Sequence, residues 1–239
     1  MRNGKEKSEA GALDLREIPE TAENYERLSC CYDILAAAEK PAILRGLKLL
    51  EPEAGDRILE VGCGTGRALV WLAERVKDEG RICGLDASEK MLEKSREKLE
   101  RAGLAERVEL IQRDARDTGL PDKEFEAVFV SFVLELFAEE DLLQVLGEIN
   151  RMLREKGRLV VVNLARKERS ELEGWGTAYR LYQKMHQLFP GLVDCRPIKI
   201  SPYLSRAGFT VKQRVEHSML GIPVEILLAR GANRKFKED

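Results

Sequence analysis

The sequence predicts a doubly wound α/β fold, an open and mostly parallel sheet with helices on both faces. Three observations predict it. The apolar run Ile58-Leu59-Glu60-Val61 ends in a turn with three glycines spaced two apart, Gly62, Gly64 and Gly66, and the amphipathic stretch Ala68 to Val76 follows at once. Strand-like and helix-like segments alternate from there to Val162, the pattern of successive βαβ units. One strand-like run, Phe125 to Val133, is nearly all apolar, as expected of a parallel strand covered on both faces.

Taken in order, residues 1–20 are charged and poor in apolar side chains and read as a disordered tail. Thr21 to Leu50 is helical in pattern: Tyr25, Leu28, Tyr32 and Leu35 recur at helical spacing, and Pro41 opens a second helix. Arg81 to Asp86 is a second strand ending in an acid. Ser88 is the N-cap of the next helix, with Glu89 in its first turn and Met91, Leu92, Leu99 and Ala102 along one face. Val108 to Arg113 forms a third strand, closing on Asp114-Ala115. A helix holds Glu148 to Leu153, Gly157 breaks it, and Leu159 to Val162 is a fifth strand. Lys167 to Pro190 is again helical, with Tyr179, Tyr182, His186 and Phe189 in one stripe and Leu181, Met185 and Leu188 in a second. Tyr203 to Ala207 fits the last helix, and the strand opening at Gly208-Phe209 pairs with Ile222 to Ala229 as an antiparallel hairpin. Pro223 belongs at the start or edge of its strand.

The glycine turn selects a ligand class. Glycines let backbone approach a ligand closely, and the N–H groups of the following helix point back at it. A dinucleotide fingerprint, G-x-G-x-x-G, needs its third glycine at position 67, which is Arg67; here it falls at Gly66. Glu60 beside the turn repels a pyrophosphate and suits a ligand carrying a positive amino group. Asp86 lies twenty residues past Gly66, where an acidic residue takes ribose hydroxyls. Each acid alone also reads as a solvated strand-end residue. Together, Glu60, Asp86 and Asp114 fall on the C-terminal edge of the sheet, where open α/β folds bind ligands.

The pattern E-x-G-x-G-x-G, from Glu60 to Gly66, resembles the first motif of the class I S-adenosylmethionine-dependent methyltransferases. Within that superfamily, Arg113-Asp114-Ala115, the phrase from Glu148 to Leu159 and, more loosely, Tyr32-Asp33 resemble the ubiquinone/menaquinone biosynthesis methyltransferases. The likeness runs over roughly residues 57–163. It implies a Rossmann-like seven-stranded sheet, mostly parallel with the last strand antiparallel, carrying helical cap elements, and S-adenosyl-L-methionine as cofactor, leaving as S-adenosyl-L-homocysteine. It further implies that Gly62, Cys63, Gly64, Thr65 and Gly66 contact the amino-acid moiety together with Glu60. Asp86 would bond the ribose, with Ala87 and Met91 beside it, Asp114 would reach the adenine amino group with Ala115 against the ring, and Ser131-Phe132 would flank the methionine portion. The implied organisation is one methyltransferase domain, 21–239, with a helical lid at 21–50 and a helical insertion toward the acceptor at 165–200. Gly174 to Ile198 shows no quinone-specific motif, so the acceptor stays open. A nicotinamide-dependent oxidoreductase is disfavoured by Arg67 and Glu60, and a cofactor-binding protein without turnover is the other alternative.

Composition sets the remaining bounds. The 239 residues are 44% hydrophobic, enough for a sizeable core, and 40 basic against 42 acidic residues leave a formal charge of −2. Such a balance offers no field for nucleic acid. No run approaches a membrane span, and no apolar N-terminal stretch reads as a signal peptide, so the expectation is a cytoplasmic protein. Five cysteines with no C-x-x-C, and two histidines apart from them, make a metal site unexpected. Cys63 reads as a small loop residue, Cys83 as core, and Cys195 as a residue near the acceptor side. The expected partner is a small, mostly apolar or aromatic methyl acceptor, which the family resemblance implies is quinone-like. Tyr182, His186 and Tyr32 are the candidate catalytic residues, with Asp194 also near the expected mouth; no spacing singles out one as the base.

Overall fold

The computed structural model describes residues 29–77, 79–167 and 196–231, with side chains from residue 37 onward. The elements are α1 (Ser29–Leu50), β1 (Arg57–Val61), α2 (Arg67–Val76), β2 (Arg81–Asp86), α3 (Glu89–Arg101), β3 (Val108–Gln112), β4 (Phe125–Ser131), α4 (Leu142–Met152), β5 (Leu153–Leu164), α5 (Ser201–Arg206), β6 (Phe209–Met219) and β7 (Ile222–Gly231). Single 3₁₀ turns stand at Ala105–Arg107 and Leu134–Leu136.

One seven-stranded sheet takes the order β3-β2-β1-β4-β5-β7-β6. Pairing is parallel from β3 across to β5, and β7 runs antiparallel to both β5 and β6. This is the Rossmann-like sheet with a reversed last strand that the sequence implies. The order reverses between β1 and β4, so the loops after these two strands diverge to opposite faces and open a crevice at their C-terminal ends.

Strand alternation sorts side chains to two cores. Ile58, Ala127, Phe129, Val160 and Val162 face α1, α2 and α3, whose Leu47, Leu69, Leu72, Leu92 and Leu99 cover them. Leu59, Val61, Val128, Val130 and Val161 face α4 and α5, meeting Val145, Leu146, Ile149 and Leu204. The opposite edge of the sheet, away from the crevice, is held by ion pairs, among them Arg158 with the buried Asp56 and Arg81 with Glu109 and Glu124.

Two local expectations are corrected. Pro41 does not open a second helix: α1 runs through it without a break. Its ring is compatible with helical φ and removes only one N–H from the ladder, while Ala42, Leu47 and Leu50 behind it are fully buried. Strand β5 also begins earlier than expected. Leu153 leaves α4 directly into extended backbone and pairs with Phe125, and Lys156 at φ 66° turns the chain through an irregularity before Arg158 meets Ala127. The second half of α1 is core. The expected tail at 1–20, Tyr182, His186, Asp194, Cys195 and the two aromatic and aliphatic stripes lie outside the described residues, and for Tyr32 only the backbone is described. The ends of the 165–200 segment are fixed: Ala165 bridges to Ile198, whose N–H donates to the Leu164 carbonyl at 3.0 Å. Ala165 and Ile198 therefore lie together beside the C-terminal end of β5.

Candidate active site

The glycine turn is built from both sides. Gly62 and Cys63 donate their N–H groups to the Leu85 carbonyl at 2.7 and 3.0 Å, which ties the turn to the end of β2. Gly66 heads α2 at φ 71° with no side-chain cap. A Cβ built there would stand 2.2 Å from Ser95 Oγ and 3.2 Å from the Ser95 Cα, so α3 packs directly on the turn. A Cβ on Gly64, by contrast, would meet nothing within 4 Å among the described residues. One glycine serves packing and the other leaves open space above the turn.

Three charged groups surround this turn. Asp86, at the end of β2, accepts the Gly64 N–H at 2.8 Å and the Ser88 N–H at 2.9 Å. Burial raises its carboxyl above the ordinary value, and the same N–H bonds oppose that rise. Glu60 points from β1 into the core beneath the turn and is 3% exposed. Its pKa is pushed well up by burial first and then by Asp86, with Lys98 and the Leu69 N–H of the first α2 turn pulling it back. Its Oε2 is buried and has no hydrogen-bond partner among the described residues. Lys98 reaches from α3 to donate to Thr65 Oγ1 at 2.9 Å. Sequence reading missed Lys98 and Ser95; their spacing of three on α3 was the available signal, since it puts both on the helix face toward the turn.

The remaining expected residues line the same edge. Ala87 and Met91 follow Asp86 and are half-buried, and Ser88 caps α3 by accepting the Met91 N–H at 3.4 Å. Asp114 is not an open carboxylate. Arg116 donates to it from Nη2 at 2.7 Å and from Nε at 3.1 and 3.2 Å, holding its carboxyl below the usual range, and also reaches Asp141 at 3.2 Å. Ala115 beside it is buried. Ser131 and Phe132 end β4, and Phe132 takes φ 54°, an uncommon value for an aromatic residue, with its N–H on the Val162 carbonyl at 2.8 Å. Cys63 and Cys83 are free and buried, and burial pushes both thiols up, Cys83 to about 12. Neither is a nucleophile at neutral pH. Among the described residues, no three His, Cys, Asp or Glu side chains cluster to hold a metal ion, and no helix is long and apolar enough to cross a membrane.

S-adenosylmethionine fits this donor set. The orphaned Oε2 of Glu60, with Asp86 close by, makes the underside of the turn a place for positive charge and a poor one for a pyrophosphate. The open face at Gly64 and the uncapped α2 terminus leave room and N–H groups for an amino-acid carboxylate.

Comparisons agree with that chemistry. Residues 58–157 match the family described as "Methyltransferase domain". The demethylmenaquinone methyltransferase of Listeria monocytogenes is 29% identical over 194 residues, covering 72% of this chain and 77% of that protein. The phosphatidylethanolamine N-methyltransferase of Cereibacter sphaeroides is 39% identical over 109 residues, 46% of this chain and 51% of its own. Among solved structures, the magnesium protoporphyrin IX methyltransferase of Synechocystis with bound S-adenosylhomocysteine superposes with a TM-score of 0.68 at 18% identity, covering 90% of this chain and 95% of that one. The chain is similar to the class I S-adenosylmethionine-dependent methyltransferases and, among them, to the ubiquinone/menaquinone biosynthesis methyltransferases.

Proposed function

We propose that this enzyme methylates a small, mostly apolar or aromatic acceptor with a quinone-like ring, in the cytoplasm and without a metal. The observation that carries the reading is the likeness to the demethylmenaquinone enzyme across about three-quarters of each chain, 72% and 77%. When bound, S-adenosylmethionine supplies an electrophilic methyl group and leaves as the neutral thioether. The chain's own residues then bind, orient and exclude water. In this reading Glu60 accepts from the cofactor's ammonium, Gly62 to Gly66 cradle the amino-acid part, and Asp86 takes the ribose, flanked by Ala87 and Met91. Asp114 and Ala115 hold the adenine, with Arg116 fixing the Asp114 carboxylate in place. Ser131 and Phe132 flank the methyl-bearing portion. Tyr182, His186 and Tyr32 serve the acceptor in this reading, Tyr32 from the first half of α1.

The test has two stages. Calorimetric titration should show S-adenosylhomocysteine binding and no binding of NAD. Labelled methyl transfer should then be followed on benzohydroquinones, naphthohydroquinones and phosphatidylethanolamine vesicles. Preference for the hydroquinones supports the reading; preference for the vesicles, which the shorter match favours, replaces it with amine methylation.

A further inference from the structure

Two carboxyl groups that no motif predicts sit by the C-terminal ends of β4 and β5. Glu135, in the 3₁₀ turn after β4, is 2% exposed. Its Oε1 accepts the Leu164 N–H at 2.8 Å, so the carboxylate stands where another β4 residue would continue the ladder with β5. Its Oε2 is buried and has no partner among the described residues. Beside it, Asn163 donates from Nδ2 to the Leu164 carbonyl at 3.0 Å, while its Oδ1 is buried and likewise has no partner among the described residues. A buried acceptor without a donor is unfavourable, and such an atom at a crevice marks where a ligand donor belongs.

Glu39 comes to the same place from α1. A Cβ on Gly46 would lie 2.6 Å from Val162 and 3.0 Å from Phe129, so the helix rests directly on β4 and β5. Glu39 is seven residues earlier, about 10 Å along the axis, which carries it past the strand ends. There it interacts electrostatically with Glu135 and with Arg67, the first residue of α2 behind the glycine turn. Burial is the larger influence on both groups, holding Glu39 at about 7 and Glu135 at about 8, with the Arg67 cation lowering the former and Glu39 raising the latter.

We infer that Glu135 and Glu39 receive a hydroxyl of the aromatic acceptor, Glu135 Oε2 accepting its hydrogen bond and Glu39 taking its proton as the methyl group is transferred. The inference rests on the aromatic-acceptor reading above. The hydroxyl O–H bond breaks and an O–H bond forms on Glu39. The electron pair left on the oxygen, or on the ring carbon conjugated with it, bonds the methyl, and the pair of the broken S–C bond stays on sulfur. Half-buried Glu39 then returns the proton to solvent.

The probes are 2-naphthol and its methyl ether, 2-methoxynaphthalene, titrated at about pH 8.5, where the Glu135 carboxyl is ionised and the naphthol is not, into the protein saturated with S-adenosylhomocysteine. The wild type should bind the naphthol at least tenfold more tightly than the ether. Glu135→Gln keeps an acceptor for Leu164 and replaces Oε2 with a donor, so the preference should fall below about threefold. Equal binding of the two probes by the wild type, or an unchanged preference in the variant, overturns the inference while leaving an aromatic acceptor in place. Failure to bind either probe overturns both readings. For Glu39, methyl transfer to 1,4-naphthohydroquinone should decline below about pH 7 in the wild type. Glu39→Gln should flatten that limb and lower kcat at least a hundredfold, with the naphthol preference retained. An unchanged kcat, or no turnover of the hydroquinone, overturns the proton-acceptor role.

Discussion

Asp86 does two things with one carboxylate, and its replacement separates them. It holds the Gly64 and Ser88 N–H groups, so it shapes the turn before any ligand arrives, and in the proposed site it also takes the ribose. Asp86→Ala should weaken S-adenosylhomocysteine about ten- to a hundredfold by calorimetry, the equivalent of ~1.5–3 kcal/mol for a charge-assisted bond. It should also lower the apo thermal midpoint, because two N–H groups lose their acceptor. Wild-type affinity in that variant sinks the ribose assignment. Glu60→Gln keeps the shape beneath the turn and removes the charge. It should weaken S-adenosylmethionine more than adenosine, which has no ammonium; equal losses would mean that Glu60 only shapes the turn. Both acids were legible in the sequence, because the strand-glycine-helix pattern surrounds them with context. Glu39 and Glu135 were not. A buried carboxylate in a helix or a 3₁₀ turn carries the same letter as a solvated one, and only tertiary packing takes it out of water.

At the scale of elements, the fold was readable wherever both faces of a segment are buried. Strand β4 and the Leu159-to-Val162 part of β5 are near-continuous apolar runs because helices cover them on both sides. The Leu153 start of β5 was hidden, because Arg154, Glu155 and Lys156 read as the polar end of a helix; the pairing of Leu153 with Phe125 decides it. Pro41 misled for a related reason, since a local penalty of about 3 kcal/mol is outweighed by the packing of the helix behind it. The contact of α3 with the glycine turn also lives at this scale. Gly66→Ala places a methyl group against Ser95 at a backbone φ of 71°. Overpacking typically costs ~1–3 kcal/mol, so the variant should melt several degrees lower and bind S-adenosylhomocysteine more weakly. Adding Ser95→Gly should recover part of the stability by clearing the Oγ contact. A Gly66→Ala protein as stable as wild type would show that α3 can shift freely.

For the molecule as a whole, the crevice concentrates carboxyl groups in unfavourable protonation environments. Glu39, Glu60, Asp86 and Glu135 all have folded values above their ordinary ones, so over that interval the native state binds more protons than the unfolded chain. Apo stability must then fall as pH rises from the ordinary carboxylate range near 4.5 toward 8. Asp114 and Glu148 act oppositely: Arg116 and Arg151 hold their values down, so their contribution is present at neutral pH and lost as pH drops through their lowered values. The apo thermal midpoint should therefore peak in mildly acidic buffer and decline toward pH 8. Glu135→Gln should remove much of that decline, on the order of 3 kcal/mol for a buried carboxyl held several units high, and so be more stable than wild type at pH 8 than at pH 5. Saturating S-adenosylmethionine should reduce the decline by a separate route, since its positive charge favours the ionised form of Glu60 without touching Glu135. The two effects should add, because one group lies beneath the glycine turn and the other at the end of β5. Differential scanning calorimetry from pH 5 to 8, on both proteins with and without ligand, measures this directly; a flat apo profile would mean that water reaches these carboxyl groups and that the crevice is not the desolvated chamber its chemistry requires.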